Sequence, residues 1–275
     1  MIHVITASRN RRAKTEAFVN SIKNQSYKNI HLIIVDDNSS DGTREAVRRL
    51  MPEAVIIKGN GSLWWGGAMD AAYQWVRKNL NRRKNDFILI TNDDIEYDAD
   101  YIQKGIDCVK SRSGGIIHGE GIDIRTGKVI DTVYHIDYSR NWRQTIFVKS
   151  TDGKGECSSS RSLFMTVETF LDVGGFHPLL LPHYGSDTEW TMRAARKGHP
   201  VYADKDLAYF MDDAAVSNKS GKNVEWKKVF SKRSGQNPYY RIVLILISTP
   251  FKYIPQELGK QLLRYASRIS RQKKP

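Results

Sequence analysis

The chain has 275 residues, 40% apolar and 27% charged, a soluble globular balance with length for one large domain or one domain with an appendage. Its two cysteines, Cys108 and Cys157, form no CxxC pattern, which excludes a disulfide framework or a zinc site as the organising feature. The net charge of +13 is lopsided: residues 219–275 hold fourteen Lys/Arg against two Glu, a net +12 that leaves +1 for the first 218 residues.

In chain order, Ile2 to Thr6 reads as an apolar strand, entered with no basic n-region before it, so the expected setting is cytoplasmic. Helical spacing of Ala13, Ala17, Val19 and Ile22 follows the loop 7–10. Ile30 to Val35 is a second strand, closed by Asp36-Asp37-Asn38-Ser39-Ser40-Asp41-Gly42, whose capping residues lead into a helix over 43–50. Ala54 to Lys58 is a third strand. A Gly- and Trp-rich loop at 59–67 precedes a helix over 68–80, with Ala72, Trp75, Val76 and Leu80 on one stripe. Phe87 to Thr91 is a buried central strand that stops at Asn92-Asp93-Asp94. This alternation calls for a parallel sheet with right-handed crossovers.

Beyond Asp94 the spacing predicts a helix over 101–109 and short strands near 116–117, 128–134 and 162–167. A tight turn at Gly174-Gly175-Phe176, a helix over 187–197 and short extended pieces at 201–203 and 207–210 complete the body. A boundary near 217/218 separates this body, 1–217, from the basic helical region 218–275. In that region Leu258, Leu262, Tyr265, Ala266 and Ile269 fall on one helical face and Lys260, Arg264, Arg268 and Arg271 on another. Such a helix suits an anionic bilayer surface; packing on the body or a homo-oligomer contact are the alternatives. The tail's aromatics sit with its aliphatics rather than between its charges, which argues against nucleic acid. No apolar run reaches the roughly 18 residues of a spanning helix.

Acids recur at strand ends and glycine turns: Asp36/Asp37, Asp70, Asp93/Asp94 and Asp187/Glu189. Ligands gather at the carboxyl ends of parallel strands. Carboxylates without a His/Cys cluster suit Mg²⁺ or Mn²⁺, with substrate phosphates completing the shell.

Four motifs, Val35-Asp36-Asp37-Asn38-Ser39-Ser40-Asp41-Gly42-Thr43, Thr91-Asn92-Asp93-Asp94, Val173-Gly174-Gly175-Phe176 and Gly185-Ser186-Asp187-Thr188-Glu189-Trp190 leading to Arg193, resemble in order and spacing those of a family 2 glycosyltransferase with the GT-A fold. The resemblance covers about residues 2–212. It implies an α/β fold with a Rossmann-like, mostly parallel sheet flanked by helices. It also implies an inverting, metal-dependent transfer from a nucleotide sugar, UDP-sugar first and dTDP-sugar next. The acceptor would be a glycan, lipid-linked, in bacterial surface polysaccharide synthesis at the inner face of the cell membrane. By the same resemblance Thr6, Arg9 and Asp37 hold the nucleotide, and Asp70 occupies a donor-site position. Asp93 contacts ribose or the metal's water shell, Asp94 ligates the metal, and Asp187 is the base that deprotonates the acceptor. Asn92 replaces the first acid of the DxD pattern. The family's later His is missing from Tyr209-Phe210-Met211-Asp212-Asp213, and Asp212 is the candidate oxygen ligand in its place.

Trp64 and Trp65, between glycines, suit a wall for the donor sugar or a place in the core. Near the acceptor, Glu189 would orient the alcohol, Trp190 would stack on a sugar or pack, and His183 is the nearby histidine. A sugar-1-phosphate nucleotidyltransferase is the rival enzyme, but Ala7 to Arg12 does not reproduce its Gly-rich loop. A non-enzymatic nucleic-acid or membrane binder is the second rival.

Overall fold

The computed structural model describes residues 1–80, 85–95, 97–112, 115–141, 146–211, 229–231 and 234–272, except for the side chains of 268, 269, 271 and 272. The apolar runs become β1 (Ile2–Ser8), β2 (Ile30–Asp36), β3 (Val55–Lys58) and β4 (Phe87–Thr91), in parallel in the order β3-β2-β1-β4. Both faces of these strands are covered, so alternation does not show as polar against apolar but as two separate cores. Ile5, Ile33, Ile88 and Ile90 face one layer, where Ala68, Ala72 and Val76 of α3 (Trp64–Asn79) pack. Val4, Leu32, Ile34 and Leu89 face the other, against α1 (Arg12–Lys23), α2 (Thr43–Leu50) and α4 (Tyr101–Ser111).

The sheet continues past β4 by a step that local sequence does not reveal. Its next strand is β10 (Ser162–Thr166), inserted antiparallel between β4 and β5 (Ile116–Asp123). Its register sets Ser162 opposite Thr91. The start of β10 therefore lies beside the carboxyl end of β4, where the acids begin. β6 (Val129–Asp131) pairs with β5, while β7 (Tyr134–Ile136) and β8 (Phe147–Lys149) form a separate hairpin. The two extended pieces expected at 201–203 and 207–210 are one strand, β11 (Val201–Met211), irregular between Asp204 and Ala208 and parallel to β5. It pairs at its start with β9 (Lys154–Gly155).

A short helix not anticipated from sequence, α5 (Val167–Val173), follows β10. The Thr166 hydroxyl caps it by accepting from the Thr169 N–H at 3.0 Å. α6 (Ser186–Arg196) carries Asp187 and Glu189 in its first turn. The 217/218 boundary lies outside the described residues. The basic region resumes as α7 (Pro238–Ser248), capped by Asn237 with Pro238 at the first helical position. A 3₁₀ turn over 251–253 leads to α8 (Ile254–Gln272). Both helices lie against the body: Arg196 of α6 donates to the Ser248 carbonyl at 2.8 Å, and Lys260 donates to that of Tyr138 at 3.2 Å.

The charge arrangement of α8 differs from a simple basic face turned outward. Lys260 is buried against Glu257 at 2.6 Å, whereas Leu262 and Leu263 are 70% and 52% exposed. The polar side meets the body and leucines meet solvent. Among the described residues, no helix is long and apolar enough to cross a membrane.

Candidate active site

The carboxyl ends of β1, β2 and β4 bring Ser8, Asp36 and Thr91 to one edge, and the acids follow directly. Asp37 is buried, its backbone N–H donating to the Ser8 carbonyl at 2.9 Å. Its carboxylate accepts from the N–H groups of Gly61 at 2.7 Å and Leu63 at 3.0 Å. Asp37 thereby holds the loop between β3 and α3. Arg9 closes the same loop by donating to the Gly61 carbonyl, with its guanidinium 4.0 Å from Asp37. The neighbouring Asp36 is committed to structure, ion-paired with Arg44 at 2.6 Å. Thr6 is buried in β1, and its hydroxyl has no partner among the described residues.

Asp93 and Asp94 share a cation from the chain itself. Arg11 lies 2.9 Å from Asp93 and 2.7 Å from Asp94. Asp93 is buried and also accepts from the Thr15 hydroxyl at 2.9 Å, which in turn shares a hydrogen bond with Ser8. Burial pushes the Asp93 pKa up, opposed by Arg11 and by hydrogen bonds from Ser8 and Thr15. Asp94 keeps 37% of its side chain exposed. Arg11 was legible only as one charge in a basic turn; its place just after a strand that ends beside two acids is the signal that marks it.

The second half of the site is built on the start of β10. Trp65 donates from Nε1 to the Ser160 hydroxyl at 2.9 Å, tying α3 to this segment. Arg161 pairs with Asp131 at 2.9 Å, and Asp131 also accepts from Ser159 and, at 2.6 Å, from Tyr209. His118 lies 3.9 Å from Asp131 and is wholly buried. These groups come from β5, β6, β11 and the loop before β10, so no local motif announces them.

Asp187 is half-buried at the start of α6, accepting from the Thr188 N–H at 2.8 Å. Its dense surroundings raise its pKa; Thr188 and Arg161 act to lower it and Asp131 to raise it. A carboxyl so raised is suited to take a proton. Asp37 and the Asp93/Asp94 pair follow strands that end at one edge of the sheet, and Asp187 interacts electrostatically with Arg161, whose neighbour Ser162 pairs with Thr91.

Other expected site residues fall elsewhere. Trp190 is fully buried, donating to the Gly174 carbonyl at 2.8 Å and stacking on Phe176 at 5.6 Å; it packs, and its ring is not a sugar platform. Glu189 is buried and bound by Arg193 through both carboxylate oxygens, at 2.8 and 3.1 Å. Arg193 also donates to the carbonyls of Val173 and Gly175. The pair fastens the glycine turn to α6 and engages both oxygens of the buried Glu189. Asp70 accepts from Gln74 at 3.5 Å, and its carboxylate faces Gly175. The rings of Trp64 and His183 meet at 5.8 Å, tilted by 46°, where the Gly66 N–H donates to the Pro182 carbonyl at 2.8 Å. A Cβ at Gly66 would sit 2.5 Å from the Leu181 carbonyl oxygen, so only glycine allows this approach. Asp212 lies outside the described residues.

Among the described residues, no three His, Cys, Asp or Glu side chains cluster as a metal site. The set still fits Mg²⁺ or Mn²⁺, because Asp94 offers an accessible hard oxygen and such ions take one or two carboxylates plus substrate phosphates.

Comparison with known proteins agrees with the architecture. The first 349 residues of S. aureus TarS superpose with a TM-score of 0.58 at 15% identity, covering 97% of this chain and 72% of that one. The same protein in complex with UDP-GlcNAc gives 0.60 at 14% identity over 97% and 72%. The mannosyltransferase PcManGT of Pyrobaculum calidifontis, in complex with GDP-Man and Mn2+, gives 0.53 at 15% over 98% and 75%. At such identities the likeness establishes the GT-A fold alone. In sequence, 57 residues, 21% of the chain, are 39% identical to a GalNAc(5)-diNAcBac-PP-undecaprenol beta-1,3-glucosyltransferase of Campylobacter jejuni, and the match spans 18% of that relative. The model of Glycosyl transferase family 2 matches residues 3–165, more than half of the chain. Sheet, strand-end acids and family match agree: this chain belongs to glycosyl transferase family 2.

Proposed function

We propose that the protein is an inverting glycosyltransferase that moves a sugar from a nucleotide-diphospho-sugar, UDP first and dTDP next, onto a lipid-linked glycan. It would act at an anionic membrane face in surface polysaccharide synthesis. What supports it most is the chain of neighbours that runs from Asp187 through Arg161 and the Ser162–Thr91 pairing to the strand end before Asp93 and Asp94. The undecaprenol-linked substrate in the name of the Campylobacter relative supports the lipid-linked acceptor.

In this reading Asp37 and Arg9 hold the base and ribose side of the donor, with the buried Thr6 hydroxyl beside them. Asp187 takes the proton of the acceptor alcohol as its oxygen bonds to the anomeric carbon. The bond from that carbon to the diphosphate oxygen breaks on the opposite face, so configuration inverts and the nucleoside diphosphate leaves. Arg161 keeps Asp187 from being neutralised by its burial. A bound Mn²⁺ or Mg²⁺, held by Asp94 with Asp93 behind it, would supply positive charge to the leaving diphosphate.

Calorimetry with UDP, dTDP and GDP, each with and without Mn²⁺, tests the donor side, and proton NMR of the product linkage tests inversion. Tightest binding to UDP with Mn²⁺ and an inverted anomeric centre are expected. Absence of nucleotide binding, or a retained configuration, would overturn the reading.

A further inference from the structure

The acids follow one end of the parallel strands, and the opposite end carries a pair of histidines that the transfer chemistry does not use. His3 on β1 and His31 on β2 are register partners, and neighbouring strands lie only about 4.8 Å apart. Each stands two residues before an isoleucine of the α3 layer, Ile5 and Ile33, and so shares that face. His3 is 1% exposed; His31 is half-buried, its ring meeting Trp75 of α3 at 5.7 Å.

The two rings meet edge to face, with Nδ1 of one 2.9 Å from Nδ1 of the other. A hydrogen bond between two ring nitrogens needs one N–H and one bare lone pair, so a single proton fits in that contact. The other nitrogen of His3, Nε2, lies 3.4 Å from Asp86, on the turn before β4. For neutral rings, one arrangement satisfies both contacts: Nε2–H of His3 donates to Asp86, and Nδ1 of His3 accepts from Nδ1–H of His31. One added proton is tolerated, since a single imidazolium still donates across the contact to a neutral ring. A second puts an N–H on both sides, two cations in direct contact, and the contact must open.

Among the described residues, the charged groups facing the pair are Asp86 and the N-terminal amine, itself 3.1 Å from that carboxylate. β4 sets Ile88 beside His3, α3 presents the uncharged Trp75 ring, and β3 begins further along, opposite Ile33. Burial lowers the pKa of both rings; on His3, Asp86 opposes that effect while His31 and the amine add to it.

We propose that His3 and His31 form an acid-sensitive latch, which ties β1 to β2 beneath α3 while at most one ring is charged and is forced apart when both are. The latch does not depend on the transfer reaction. In the folded chain both rings titrate below the ordinary 6.5 that they regain on unfolding, so the unfolded chain takes up more protons as pH falls. The stability that the latch contributes is therefore full above about pH 6.5 and is lost below it.

Urea denaturation of the full chain at pH 7 and pH 5 reads that loss. Each ring kept neutral raises the unfolding constant by up to about tenfold per pH unit below 6.5. Between the two pH values the constant should rise at least about tenfold more in the parent than in His31→Gln, whose amide can accept from a charged His3. If His31→Gln does not fold by circular dichroism, His31→Phe serves, with the same difference expected. A ¹⁵N NMR titration of the parent reads the pair without any variant, and two separate steps, both below the ordinary value, are expected. An equal pH response in parent and variant, or two rings that titrate together at the ordinary value, would overturn the latch.

Discussion

The Arg11 guanidinium lies 2.9 Å from Oδ1 of Asp93, a carboxylate that is 1% exposed. Burying an acid costs free energy unless a partner offsets it, and here the partner is a side chain reaching from the loop after the first strand. Because Arg11 also meets Asp94 at 2.7 Å, it stands where a divalent cation would compete with it.

Arg11→Met keeps much of the volume and removes the charge. It should lower stability by about 1–3 kcal/mol, toward the low end because Arg11 is 35% exposed and solvent screens the pair. Mn²⁺ should then raise the melting temperature more in the variant than in the parent, since it replaces the missing charge. Differential scanning fluorimetry with and without Mn²⁺ reads both effects; equal metal-induced shifts in the two proteins would refute the competition.

Asp187→Asn should reduce kcat by about 10²–10⁴-fold, the usual worth of a positioned acid–base group, with nucleotide affinity retained. As the proposed base, Asp187 works only when ionised, so kcat/KM should fall as pH drops through its pKa, which burial holds above the ordinary 3.8. Arg161 acts to lower that pKa, so Arg161→Gln should move the acid limb to higher pH. A limb that stays in place would separate Arg161 from the base.

Trp190 is a packing residue, and its substitution should show up as lost stability. Trp190→Ala should cost about 3–5 kcal/mol by leaving a cavity. Trp190→Phe forfeits the hydrogen bond to the Gly174 carbonyl and should cost about 1–3 kcal/mol. Urea denaturation measures the loss. The acceptor KM of the folded Phe variant should match the parent's; a selective rise would return Trp190 to the acceptor site.

Phe251 and Leu262 are 90% and 70% exposed on the C-terminal helical region. Phe251→Ser and Leu262→Ser together should weaken sedimentation with anionic vesicles, each removing about 1.5–3 kcal/mol of apolar burial in the bilayer. Unimpaired sedimentation at low and high salt would take these residues out of the membrane contact. Substitution is preferable to truncation, because α7 and α8 cover part of α6 and the β7–β8 hairpin.

The first four strands were readable because each is a short apolar run ended by turn formers, and the acids after Val35 and Thr91 were readable as strand-end ligands. Asp187 stood out through its place in a motif. What local sequence could not show was pairing. Nothing in Ser162–Thr166 states that it runs antiparallel beside β4, and Asp131, Arg161 and Tyr209 meet only after that pairing exists. Glu189 and Trp190 misled for a related reason. An acid and an indole in the first turns of a helix read alike whether they face a ligand or the core, and the deciding partners, Arg193 and Phe176, lie on the helix and the preceding turn.

The reversed direction of β10 has a mechanical consequence. A ladder of hydrogen bonds runs from the strand that ends at Asn92-Asp93-Asp94 to the strand that Ser159, Ser160 and Arg161 lead into. In the proposed reading the two reactants' anchor points are thus welded to one rigid plate, and their separation is set when the chain folds. Admission of substrate and escape of product must then fall to the loops and helices along its rim.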